Sequence, residues 1–259
     1  MSFEQRAMLW LLGLMLVACV YFWRLYRTSD YSTWESCLYL PTYILGRLLW
    51  RVHFTNDPPV DLRGGGVLAA NHRSSCDPFF VQLAARRRVH WMVAKEYCQH
   101  FAFGPMLQAL QVIPTNRSGM DTASTKAALR ITQSGRLVGM FPEGRINQTS
   151  AALLPLRSGA ALVAIRSGVP LIPLWIVGSP LGASVWSPLF MPACVKITFG
   201  KPIWPNSGTP DENSGPSKTG VLADSDALIV QWGQQILTLA QCASIPVELA
   251  SQRKRRNRT

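Results

Sequence analysis

Acidic residues are scarce in this 259-residue chain: 14 Asp and Glu stand against 26 Lys and Arg, for a net charge of +12. A basic chain seeks anionic partners: phospholipid surfaces, phosphorylated substrates or nucleic acid. Five of the positive charges, Arg253, Lys254, Arg255, Arg256 and Arg258, crowd the C-terminal end and leave +7 on the body. That end has no interleaved aromatics, which argues against nucleic acid. Histidine is limited to His53, His72, His90 and His100, at no metal-ligand spacing, so no metal is implied. The six cysteines (19, 37, 76, 98, 194 and 242) form no C-x-x-C and read as reduced thiols, excluding a disulfide framework or a zinc site. Internal repeats are absent, as is the G-x-S-x-G elbow of serine hydrolases.

What the chain does have at its start is apolar length. Residues 7–23, AMLWLLGLMLVACVYFW, are flanked by Arg6 on one side and Arg24 and Arg27 on the other. At about 1.5 Å per residue this run just reaches across a hydrocarbon core. Leu16-Val17-Ala18-Cys19 resembles a lipoprotein cleavage box, but the run continues through Val20-Tyr21-Phe22-Trp23, as a retained anchor would. Positive charge after the run places the main domain on the cytoplasmic side. A second stretch, Cys37 to Trp50, is interrupted by Pro41, Gly46 and Arg47 and reads as an interfacial helix. Residues 1–54 are therefore read as a membrane-anchoring segment, and residues 55–66, with Pro58-Pro59 and Gly64-Gly65-Gly66, as a linker.

The next stretch organises the rest. Val67-Leu68-Ala69-Ala70 reads as a buried strand and Phe79 to Ala84 as a helix; between them lies Asn71-His72-Arg73-Ser74-Ser75-Cys76-Asp77-Pro78. His72 thus sits where a strand ends and a loop turns into a helix. Across a tight turn, Asp77 can reach back to one imidazole nitrogen, fix the tautomer and leave the other nitrogen as a general base. The alternative is that Asp77-Pro78 is only a helix start, with aspartate as cap.

Further strands are expected at 89–94, 137–141, 169–177 and 194–200, and helices at 121–134 and 159–167. Strands alternating with helices predict an α/β domain with a mixed, largely parallel sheet flanked by helices. The domain is assigned to 55–245, with a flexible loop at 205–223 and an amphipathic helix from Asp224, capped by aspartate or serine. Residues 246–259 are read as a basic tail.

Four blocks stand in order: Asn71-His72 with Asp77, Ile113-Pro114-Thr115-Asn116-Arg117, Phe141-Pro142-Glu143-Gly144-Arg145, and Val169-Pro170-Leu171-Ile172-Pro173-Leu174. Together they resemble the glycerolipid acyltransferase family, with its H-x-x-x-x-D and F-P-E-G signatures, over about residues 60–204. The resemblance implies that His72 is the general base on the acceptor's hydroxyl and that Asp77 orients it. It implies that Arg117 holds an acceptor phosphate, for which a guanidinium fork is well suited. Glu143 would contact the glycerol part, and Gly144 would let backbone approach. Lys95 and Arg157 lie where the family often has basic residues. Arg145, directly after Gly144, departs from the F-P-E-G-T-R-S form and resembles 2-acylglycerophosphoethanolamine acyltransferases.

The expected reaction moves a fatty acyl group from acyl-CoA or acyl carrier protein to a lysophospholipid, lysophosphatidic acid first, with no cofactor. Membrane phospholipid and lysophospholipid are the expected partners. The alternatives are another acceptor, such as lysophosphatidylethanolamine, and a catalytically silent membrane lipid-binding protein.

Overall fold

The computed structural model describes residues 2–28, 31–101, 104–116, 122–182, 184–205 and 218–251. Among them the strands are β1 (His53–Phe54), β2 (Gly66–Ala70), β3 (Val89–Ala94), β4 (Ile113–Thr115), β5 (Leu137–Met140), β6 (Leu171–Val177) and β7 (Lys196–Phe199). They form one sheet in the order β1-β7-β6-β2-β5-β3-β4. Strands β2 to β6 run parallel; β7 is antiparallel to β6, and β1 is parallel to β7. The expected mixed, largely parallel α/β sheet is what the chain builds.

Strand β2 is apolar throughout because it is buried on both faces. Its side chains alternate with the pleat: Leu68 and Ala70 pack with Phe80, Trp91 and Ile176, while Val67 and Ala69 pack with Ala161, Ile229 and Trp232. Each fully buried aliphatic side chain of this kind contributes about 1.5–3 kcal/mol. Trp232 also donates its indole N–H to the carbonyl of Ala69 at 3.1 Å, so a polar atom in the second layer is satisfied. Pro173 is tolerated inside β6 because the β7 ladder pairs only Leu174 to Val177.

The helices are α1 (Phe3–Thr28), α2 (Thr33–Leu48), α3 (Asp77–Ala85), α4 (Lys95–Cys98), α5 (Gly104–Ala109), α6 (Thr122–Gln133), α7 (Gly159–Ser167) and α8 (Lys218–Leu239). On one face α2 packs on α3; on the other α6, α7 and α8 pack together. The stretch Phe3–Arg24 of α1 is long and apolar enough to cross a membrane, and none of it is buried in the protein. Helix α2 starts with a capping box between Ser32 and Glu35 and runs unbroken through Pro41. Gly46 does not interrupt it: a Cβ there would come within 2.5 Å of the Leu83 side chain, so glycine is what lets α2 lie close on α3.

Several sequence expectations are corrected. Helix α8 begins at Lys218, inside the stretch expected as loop, and residues 206–217 lie outside the described residues. Asp224 and Ser225 are therefore within the helix and cap nothing; the Ser225 hydroxyl donates to the Leu222 carbonyl at 2.9 Å. Residues 53 and 54, expected in the anchor, join the sheet as β1, pairing with Lys196 and Ile197. The segment expected as tail starts as core: Leu249 is buried and bridges to Leu156. The basic residues 253–258 lie outside the described residues.

Candidate active site

Because β2, β3, β4, β5 and β6 run parallel, their carboxyl ends share one edge of the sheet. That edge is where open α/β sheets offer a crevice. The loops leaving it carry His72, Lys95, Phe141 to Arg145, and Ser179. Arg117 follows β4 by two positions and lies outside the described residues.

His72 Nδ1 is 3.0 Å from Asp77 Oδ2, and the pair is held from both sides. Asp77 is fully buried at the first position of α3. Its Oδ2 also accepts the backbone N–H groups of Arg73 and Ser74, each at 2.7 Å, and its Oδ1 accepts the Ser179 hydroxyl at 2.7 Å. The carboxylate thus faces back into the loop rather than capping the helix. Four donors converge on it, which fixes its geometry. Nδ1 is then the protonated nitrogen and Nε2 the acceptor, on a side chain 15% exposed.

Two anchors fix the loop itself. Asn71 is buried and clamps β6: its amide donates to the Ile176 carbonyl at 2.9 Å and its oxygen accepts the Ile176 N–H at 2.7 Å. The carbonyl of His72 accepts the N–H of Asn147 at 2.7 Å. The Asn147 side chain in turn organises its own loop, accepting from Thr149 and donating to Ala151.

The F-P-E-G stretch is a β-turn closed by Gly144 N–H to the Phe141 carbonyl at 2.9 Å, with Pro142 at its second position. Glu143 is buried, and both its oxygens are taken: Oε1 by the N–H of His72 and Oε2 by the N–H of Leu154, each at 2.8 Å. Burial raises its carboxyl above the usual glutamate value, and the two amides oppose that rise. Its oxygens point into the protein, toward the loop that bears His72. Gly144 has φ +68°, and a Cβ there would lie 2.9 Å from Nε of Arg157. Glycine is therefore needed both for the turn and for the crossing arginine.

Arg145, Arg157 and Lys95 are exposed around this edge, Lys95 as the first residue of α4. Arg157 is tied to the turn by its N–H to the Pro142 carbonyl at 2.9 Å. Arg73 is committed elsewhere, donating to the carbonyls of Thr149 and Ala151. Burial pushes the Cys76 thiol up to about 12, so it is protonated at neutral pH and is no nucleophile.

Sequence reasoning passed over Ser179, Asn147 and Phe141 as site residues. Phe141 stacks on the His72 ring with centroids 3.9 Å apart. Ser179, two residues past β6, carried one readable signal: a small hydroxyl at the carboxyl end of a parallel strand.

Residues 51–177 match the family model described as Acyltransferase. The chain is 27% identical over 179 residues to a 1-acyl-sn-glycerol-3-phosphate acyltransferase of Bacillus subtilis (strain 168), covering 69% of this chain and 83% of that protein. Its fold is similar to the crystal structure of the 1-acyl-sn-glycerophosphate (LPA) acyltransferase PlsC from Thermotoga maritima. There the TM-score is 0.53 at 17% identity, with 89% of this chain and 96% of the other covered.

Proposed function

Since this chain is an acyltransferase and belongs to the glycerolipid acyltransferase family, we propose that it acylates 1-acylglycerol-3-phosphate, giving phosphatidic acid. The donor is acyl-CoA or acyl carrier protein. One observation carries the mechanism: the 3.0 Å contact of His72 Nδ1 with a buried aspartate that three further donors hold. With Nδ1 so engaged, Nε2 takes the proton of the acceptor hydroxyl as its oxygen attacks the thioester carbon. The C–O bond forms, the tetrahedral intermediate collapses, the C–S bond breaks, and His72 returns the proton to the departing sulfur. A thioester is already activated, so this route needs positioning and one base but no cofactor.

Arg117 is assigned to the acceptor phosphate, with Arg145, Arg157 and Lys95 as further cations for the polar part of the substrates. Glu143 and Gly144 shape the loop from which the base acts. The lipid acceptor comes from the leaflet that α1 enters, and Arg24, at the end of the apolar stretch, favours the cytoplasmic side for the domain.

The test is thiol release from a long-chain acyl-CoA by membranes containing the protein, with lysophosphatidic acid, lysophosphatidylethanolamine or no acceptor. Release that requires lysophosphatidic acid supports the assignment. Release with lysophosphatidylethanolamine alone moves the assignment to the acceptor suggested by Arg145; absence of release with every acceptor directs the test to acyl carrier protein as donor, and failure there favours a catalytically silent lipid-binding protein.

A further inference from the structure

A cavity of about 700 Å³ lies among α1, α2 and residues 57–63, at the opposite end of α3 from His72. Helix α3 gives the separation: Asp77 at its start belongs to the His72 site, whereas Arg86, just past its end, lines the cavity. Nine helical residues span roughly 13 Å.

Five arginines line this cavity, namely Arg24, Arg47, Arg63, Arg86 and Arg87. Two carboxylates, Asp57 and Asp61, also line it, which leaves a local excess of three positive charges. Arg87 is spent on structure, donating to the carbonyls of Leu62 and Gly135. Arg47, Arg63 and Arg86 are exposed toward solvent. Arg47 lies 5.4 Å over the Tyr43 ring, a cation–π contact that leaves the edge of the guanidinium for a ligand. Arg47 and Arg86 both line the cavity beside Tyr39, so they converge on one region. Arg86 has φ +52° at a helix end where glycine is favoured, and the chain keeps an arginine there.

The depth of the cavity identifies the ligand class. Tyr21 and Arg24 line it from α1, where the apolar stretch Phe3–Arg24 ends. Tyr39 and Tyr43 complete an aromatic wall, with Tyr21 and Tyr43 centroids 5.7 Å apart. Tyrosine and arginine together mark the level at which hydrocarbon gives way to head groups. We infer that this cavity holds the phosphodiester head group of an anionic phospholipid, at a site separate from the acyl-transfer site.

The test uses the full-length protein in neutral detergent. Unfolding midpoints are measured with phosphatidylglycerol, with phosphatidylcholine of the same chains, and with inorganic phosphate, each titrated alone. A saturable rise with phosphatidylglycerol only is expected. Arg86→Gly suits the backbone at that position and so keeps the fold; it should weaken phosphatidylglycerol about tenfold, and Arg47→Gln/Arg86→Gly should abolish the shift. Lys126→Gln/Arg166→Gln removes equal charge from the α6 and α7 face and should leave the shift unchanged. An equal rise with phosphatidylcholine, an equal rise with inorganic phosphate, or an equal loss in the Lys126/Arg166 variant would overturn the inference. The readout is binding, so it stands or falls apart from the acyl-transfer assignment.

Discussion

The imidazole of His72 lies flat on the ring of Phe141, with planes 9° from parallel. Trp91 stacks behind Phe141 at 4.8 Å and 14°. Trp91 has room to do so because its neighbour across the sheet is Gly139, where a Cβ would come within 2.7 Å of the indole. The orientation of His72 is thus set from one side by the buried carboxylate and from another by a stack rooted in β3 and β5.

Removing the stack should therefore affect rate more than binding. Phe141→Ala leaves the Asp77 contact in place and lets the imidazole tilt, so kcat should fall about tenfold while the acceptor KM stays within about twofold. Steady-state kinetics with varied acceptor separates the two; a raised KM at unchanged kcat would assign Phe141 to substrate binding instead.

Ser179 holds the outer oxygen of Asp77 at 2.7 Å. Ser179→Ala removes one of four donors and leaves the two backbone amides and His72, so a loss of about three- to tenfold in kcat is expected, with near-native stability. The kinetic pH profile is the informative readout. A purely structural serine would lower the unfolding midpoint and leave the profile of the remaining activity where it was.

Glu143 makes a prediction about stability. Glu143→Gln turns one acceptor oxygen into an NH2 group facing a backbone N–H, at a cost of about 1–3 kcal/mol in unfolding free energy. The pH dependence has a definite sign. Burial holds the folded carboxyl above its unfolded value, so the folded state keeps the proton longer than the unfolded chain. Stability then falls as pH rises from the ordinary carboxylate range through the raised folded value, and the fall is complete above it. Urea midpoints across that range should show this slope in the native protein and a flatter profile in Glu143→Gln.

Much of the fold was legible because β2, β3, β5 and β6 are short apolar runs with clear boundaries, and α7 ends at Gly168 in the left-handed conformation. What was hidden depended on partners far along the chain. Two residues, His53 and Phe54, carry no strand signal, and they become β1 only by pairing with β7, more than 140 positions away. The first turns of α8 were concealed by the Pro, Gly and Ser content just before them. Leu249 falls in the stretch read as a basic tail, and only its bridge to Leu156 places it in the core.

At the site, spacing alone suggested the His72–Asp77 pair, because five residues across one loop is a local relationship. The partners of Glu143 could not be read that way. One amide it binds is 71 positions upstream, so its side chain looked free for a ligand when its motif was considered alone. Ser179, 102 positions from Asp77, was hidden for the same reason.

The central claim is that His72, oriented by Asp77, is the base for acyl transfer. The most direct measurement is acceptor-dependent acyl transfer by membranes carrying the native protein, His72→Ala or Asp77→Asn, at matched protein levels. The account predicts that His72→Ala abolishes transfer and that Asp77→Asn lowers it by about three to four orders of magnitude, as loss of the orienting carboxylate does in triads. Both variants should remain in the membrane fraction. Substantial acceptor-dependent transfer by folded, membrane-bound His72→Ala would contradict it.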